Sequence, residues 1–221
     1  MDTQSASDIR SNDLLLVIDV QRDFCPGGQL AIRAGDAVVP AINHIAGCFE
    51  HIILTQDWHP ANHTSFASTH AKAKPYDTIQ ASYGSQTLWP EHCVQDTLGA
   101  EFHSDLHLPN VELILRKGFR AEIDSYSAFL ENDKQTTTGL AGYLRERGFQ
   151  RIFLAGLAYD YCVRFSAVDA VRFGFTAIVI EDACRSVDLP GSIEATGREF
   201  AQAGVQQTTL QAILQAAPAR R

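Results

Sequence analysis

Short, continuously apolar runs alternate along this chain with stretches of helical periodicity, and that alternation leaves few architectures open. Asp13–Val20, His51–Thr55, Val111–Leu115, Arg151–Leu157 and Thr176–Ile180 each read as a strand without polar alternation. A strand that is apolar on both faces must be covered on both, as in a parallel sheet. Helical patterns fall between these runs at Asp36–Phe49, Gln135–Arg147, Asp160–Phe173 and Pro190–Gln202, with Gly148 and Gly174 where C-caps are expected. A last short strand is expected at Val205–Leu210. Such alternation implies right-handed crossovers, hence a three-layer α/β/α domain around a mainly parallel sheet.

The chain of 221 residues suffices for one domain, expected over residues 13–210, with a disordered N-terminal tail at 1–12 and a C-terminal tail at 211–221 that is disordered from Ala216. A net charge of -8 with no Lys/Arg block argues against nucleic acid or an anionic membrane as partner. No apolar run approaches the roughly 20 residues a bilayer span needs, and the polar N-terminus lacks a signal peptide's apolar core. Five cysteines at irregular spacing form neither a disulfide framework nor a zinc ribbon, so a reducing cytoplasm is the expected setting. Residues 60–110 break the alternation. They are rich in His, Pro, Ser and Thr, and a long insertion of this kind points to function.

Ligands of an open parallel sheet bind beyond the carboxyl ends of its strands. Asp19 closes the first predicted strand, Asp57 the second and Lys117 the third, while Cys162 opens the helix after the fourth. A helix start favours a thiolate, although a lone cysteine is more often a small packing residue. Asp19 could simply cap a loop, and Lys117 could be a solvated strand end. Taken together, the three supply a nucleophile, a base and a cation, the components of acyl transfer. Cys25, Cys48, Cys93 and Cys184 have no such setting and read as packing residues. Asp57 and His59 stand two apart, so an extended chain presents both on one side. A carboxylate and an imidazole suit zinc, manganese or iron(II), with His63 or His92 as a third ligand.

Five segments in order resemble the nicotinamidases of the isochorismatase-like cysteine hydrolases: Asp19–Phe24, Asp57–His63, Leu88–Cys93, Arg116–Gly118 and Gly156–Val163. The resemblance implies Cys162 as nucleophile, Asp19 as proton carrier and Lys117 as the triad's cation. It also implies Asp57, His59 and His92 as ligands of one divalent metal, zinc first, with His63 as a further ligand in some members. Phe24 and Trp89 match an aromatic pair around the pyridine ring. A cis peptide between Leu157 and Ala158, with the backbone N–H groups of Ala158 and Cys162 as oxyanion hole, completes the pattern. The implied substrate is nicotinamide, in NAD salvage, and ring analogues such as pyrazinamide are implied as well. The exposed edges of such a fold are compatible with a homo-oligomer.

Two positions depart from the family pattern, Arg22 and Tyr159, and the bulky Tyr159 is expected to affect pocket shape. A carbamoyl or ureido amidohydrolase of the same fold is the nearest alternative. The Asp57, His59 and His92 set weighs against it. An isochorismatase has no need of the cysteine. A metal-activated-water hydrolase and a catalytically inactive binding module remain as different classes, the latter disfavoured by the intact Asp19, Lys117 and Cys162.

Overall fold

The computed structural model describes residues 9–216. Six parallel strands form its central sheet: β1 (Leu14–Ile18), β2 (His51–Asp57), β5 (Val111–Lys117), β6 (Arg151–Leu157), β7 (Thr176–Arg185) and β8 (Gln206–Thr208), in the spatial order β5-β2-β1-β6-β7-β8. A separate antiparallel hairpin, β3 (Thr78–Ala81) with β4 (Gly84–Thr87), lies within the long insertion. The helices are α1 (Val38–Ala46), α2 (Leu140–Glu146), α3 (Arg164–Arg172), α4 (Ser192–Ala203) and α5 (Leu210–Ala216).

The reason the strands read as unbroken apolar runs is visible in how they pack. Leu15 and Val17 of β1 enter one buried cluster with Ile42 and Ile45 of α1, while Leu14, Leu16 and Ile18 enter another with Leu144 of α2 and Ala167 of α3. The sheet therefore separates two cores, and the four inner strands β2, β1, β6 and β7 fill both. That is the expected three-layer arrangement. β1 lies between β2 and β6, so the chain winds outward in both directions from the centre and leaves a crevice above the carboxyl ends there.

Several expected boundaries move, each for a local reason. β1 ends at Ile18, because Asp19 adopts a left-handed φ of 48° and its carbonyl accepts the Gln21 N–H at 2.8 Å. β7 continues to Arg185 through a register irregularity opposite Leu154 and Gly156. The helix expected from Gln135 starts only at Leu140: the Asp133 carboxylate accepts the N–H groups of Gln135 and Thr136 at 2.9 Å, an alternative to helical bonding. The predicted helix Asp160–Phe173 divides into a wide π turn, Tyr159–Val163, and α3. The hairpin escapes a reading by periodicity, since its strands are polar and lack apolar alternation. The expected C-terminal tail from residue 211 is instead largely helical, and α5 carries the fully buried Ile213 into the core. Ile9 packs against that same core, which shortens the expected N-terminal tail, while residues 1–8 and 217–221 lie outside the described residues.

Candidate active site

Each of the four reactive side chains stands where a strand ends. Asp19 follows β1, Asp57 ends β2, Lys117 ends β5, and Cys162 lies in the π turn after β6. The Lys117 ammonium is wholly buried, 2.8 Å from Asp19 Oδ2 and paired also with Asp57 Oδ1. It donates further to the Ser125 carbonyl at 3.1 Å and to Cys162 Sγ at 3.4 Å. Cys162 Sγ lies within 4.8 Å of carboxylate oxygens of both Asp19 and Asp57. Thr55 Oγ1 donates to Asp19 Oδ1 at 2.6 Å and fixes that carboxylate.

The two carboxylates share one ammonium yet titrate apart. Burial dominates at Asp19 and, against the pull of Lys117, pushes its pKa up to about 6. Asp57 is equally buried, but Lys117 and then His59 outweigh that cost and hold it below the usual carboxylate range. Burial also pushes the Cys162 thiol well above its ordinary value, against the pull of Lys117 and with Asp19 and Asp57 adding to the rise. A helix start favours a thiolate, yet burial outweighs it in the resting site. The thiol keeps its proton beside a carboxylate poised to take it. A pair of acids driven apart by environment assigns proton-transfer roles.

Next to this trio, three acceptor atoms converge. His59 Nδ1 must donate to the Gly118 carbonyl at 2.8 Å, and His92 Nδ1 to the Pro90 carbonyl at 2.8 Å. The Nε2 lone pairs then face Asp57 Oδ2, at 3.6 Å for His59 and 3.9 Å for His92. Facing acceptors repel unless a proton or a cation lies among them. A carbonyl on the far nitrogen is also the usual way a ligating imidazole is held. Burial, with His59 adding to it, brings His92 down to about 4, so its imidazole is neutral and able to ligate. The donor set therefore fits a divalent cation.

His63 is held differently. The Ser65 N–H donates to its Nδ1 at 3.3 Å, leaving Nε2 to the Ile123 carbonyl at 3.4 Å. It joins His59 and Asp124 in a second group that shares His59 with the Asp57, His59 and His92 group. Gly118 has a φ of +66°, and a Cβ there would lie 2.4 Å from His59 Cε1. Gly118→Ala is thus expected to displace His59 and lower metal affinity roughly tenfold or more, which elemental analysis after dialysis against a buffered metal series measures.

A cavity of about 350 Å³, its mouth included, joins these groups. Phe24, Trp89, Tyr126 and Tyr161 line it together with Asp57, His59, His92, Asp124, Ala158 and Cys162. The peptide between Leu157 and Ala158 is cis, as the resemblance implied. Tyr159 departs from expectation: it is absent from the cavity lining, packs edge-on against Phe200, and accepts from Gln207 Nε2 at 3.1 Å. The ring that faces the pocket is Tyr161.

Sequence reading missed the residues that hold the ligands in place. The Gln21 side chain bonds the Asp57 backbone in both directions, accepting its N–H and donating to its carbonyl, each at 2.8 Å. Asp23 Oδ2 accepts the Cys93 N–H at 2.7 Å, anchoring the segment that carries His92. Their place in the segment Asp19–Phe24 was the available signal. The Asp160 carboxylate accepts the N–H groups of Val187 and Asp188, both at 2.9 Å, and ties the cysteine turn to another cavity wall.

A buried thiol, carboxylate and ammonium above a parallel sheet, opening on an aromatic cavity, is a constellation chemically competent for acyl transfer. Residues 13–212 match the isochorismatase domain, and the chain belongs to that family. The nicotinamidase of Acinetobacter baylyi is 50% identical over 204 residues, spanning 92% of this chain and 95% of the relative. The solved structure of a nicotinamidase/pyrazinamidase from Acinetobacter baumannii superposes with a TM-score of 0.90 at 52% identity, covering 91% of this chain and 98% of that one. A pyrazinamidase of Pyrococcus horikoshii solved in complex with zinc gives 0.73 at 33% identity, over 90% and 99%.

Proposed function

We propose that this protein is an amidohydrolase that converts nicotinamide to nicotinic acid and ammonia through a thioester on Cys162. The observation carrying this reading is the placement of Cys162 Sγ 3.4 Å from Lys117 Nζ and beside Asp19, at the wall of an aromatic cavity. Its similarity to nicotinamidases along nearly the whole chain supports the choice of substrate.

Phe24 and Trp89 hold the pyridine ring, and stacking adds about 0.5–1.5 kcal/mol to its burial. Orientation is the larger gain, because it sets the carboxamide carbon against the sulfur. Asp19 takes the thiol proton as sulfur bonds to that carbon, and the carbonyl π electrons move onto oxygen. The backbone N–H groups of Ala158 and Cys162 stabilise this oxyanion, at a typical value of about 2.7–4 kcal/mol per donor. The oxyanion collapses, the C–N bond breaks, and Asp19 returns the proton so that ammonia departs. Water then gives a proton to Asp19 and attacks the thioester, releasing nicotinic acid and the thiol. Lys117, whose pKa burial would lower but Asp19 and Asp57 raise well above normal, stays charged throughout.

Asp57, His59 and His92 would hold the divalent ion, zinc foremost, with His63 as a supporting neighbour of His59. When bound, such an ion supplies a Lewis acid for the ring nitrogen. Elemental analysis is expected to find one ion per chain and distinguishes zinc from manganese or iron. The five cysteines are free thiols, consistent with a cytoplasmic setting, and no described helix is long and apolar enough to cross a membrane.

Ammonia release across a panel of nicotinamide, pyrazinamide and a ureido compound tests the substrate directly. Nicotinamide turnover is expected, and exclusive turnover of the ureido compound would overturn the assignment. The pH profile tests the base. Only ionised Asp19 can accept the thiol proton, so kcat/KM should rise with pH through about 6 and level above it. An ion held at Asp57 offsets the Asp57 charge that helps raise Asp19, so the limb in the loaded enzyme falls at or below that value. An acid limb above 7 would contradict Asp19 as base.

A further inference from the structure

One side chain of the β3–β4 hairpin is buried although the rest of the hairpin is exposed or half-buried: Gln86, at 1% exposure. Its Oε1 accepts from the Tyr83 hydroxyl at 3.0 Å and from Asn132 Nδ2 at 3.2 Å. Its Nε2 faces the Thr87 carbonyl at 2.7 Å and Asp124 Oδ2 at 2.8 Å, two acceptors that fix the amide's orientation and take both its hydrogens. The Tyr126 hydroxyl oxygen also rests against this nitrogen, at 2.9 Å, and receives the Trp89 Nε1–H at 3.1 Å.

Neither polar neighbour of the Tyr126 oxygen, the Gln86 amide nitrogen or the Trp89 indole nitrogen, has a lone pair to offer. The phenol cannot give its proton to either. No bond among the described residues has it as donor, and burial keeps it protonated, its pKa pushed well above the ordinary value. Tyr126 lines the cavity with Phe24, Trp89 and Cys162.

We propose that Tyr126 donates a hydrogen bond to the bound aromatic amide, and that Gln86 is the positioning residue that turns this donor into the cavity. The inference rests on the amidase reading above and adds a specificity element to it. The pocket selects a ring amide that presents an acceptor lone pair to Tyr126, and it does so through a hairpin outside the triad and the metal ligands. Gln86→Glu is nearly isosteric. It puts an oxygen where the amide nitrogen stood, facing the Thr87 carbonyl, Asp124 Oδ2 and the Tyr126 phenol. Of these only the phenol carries a proton, so the oxygen draws that proton out of the cavity, at a cost in stability that the melting curve reads.

The test is steady-state kinetics of nicotinamide hydrolysis for wild type, Tyr126→Phe, Gln86→Glu and the double variant, each checked by thermal melting. Tyr126→Phe should raise KM roughly tenfold, the scale of one lost hydrogen bond, with kcat changed by about twofold or less. Gln86→Glu should raise KM similarly in wild type and add nothing when combined with Tyr126→Phe. An unchanged KM for Tyr126→Phe overturns the donor. An equal further loss from Gln86→Glu in the double variant overturns the positioning role in favour of a merely structural one. Absence of nicotinamide turnover in wild type would instead count against the substrate assignment itself.

Discussion

Replacing Cys162 with alanine is expected to lower kcat by a factor on the order of 10⁶, the scale seen when a nucleophile acting as part of a unit is removed. The fold should survive, because the thiol is small and its pairing partners, Asp19 and Lys117, keep each other. The cavity and the Asp57, His59 and His92 cluster remain, so product nicotinic acid should still bind, by calorimetry, with affinity near that of wild type. Stopped ammonia release together with intact binding separates chemistry from recognition. It also separates this reading from a metal-activated-water hydrolase, for which Cys162→Ala would leave most of the rate.

Lys117→Met should damage stability as well as rate. The substitution keeps an apolar stem but leaves Asp19 and Asp57 facing each other in a site closed to solvent. Breaking a buried pair from one side typically costs about 3–5 kcal/mol, and a lost electrostatic stabiliser about 100- to 1,000-fold in rate. The sign with pH follows. Without the ammonium Asp19 loses its main counter-charge, so its folded-state pKa, already raised, climbs further above the unfolded value and the folded form is favoured when it is protonated. The stability deficit relative to wild type should thus be largest near pH 8 and shrink as pH falls toward 5. Melting temperatures across that range measure it. A deficit that does not vary with pH would mean that Lys117 does not neutralise the pair.

The sheet and the convergence of the reactive groups were legible because both follow from simple physics. Continuous apolar runs can be buried only between two layers, and the carboxyl ends of the parallel strands put Asp19, Asp57, Lys117 and Cys162 on one rim. What stayed hidden depends on partners remote in sequence. Gln21 matters because its amide happens to meet the backbone of Asp57, thirty-six positions away. The late start of α2 depends on the Asp133 carboxylate capturing nearby N–H groups, which a pattern of apolar spacing does not report. Tyr159 and Tyr161 are interchangeable to a reader of the sequence. The wide turn after β6 sends the first toward Phe200 and the second into the cavity.

Intact-protein and peptide mass spectrometry of acid-quenched turnover with nicotinamide tests the central claim most directly. The expected result is one nicotinoyl group per chain, located on the peptide that contains Cys162 and removed by hydroxylamine. An acyl group carried by any other residue would contradict the account.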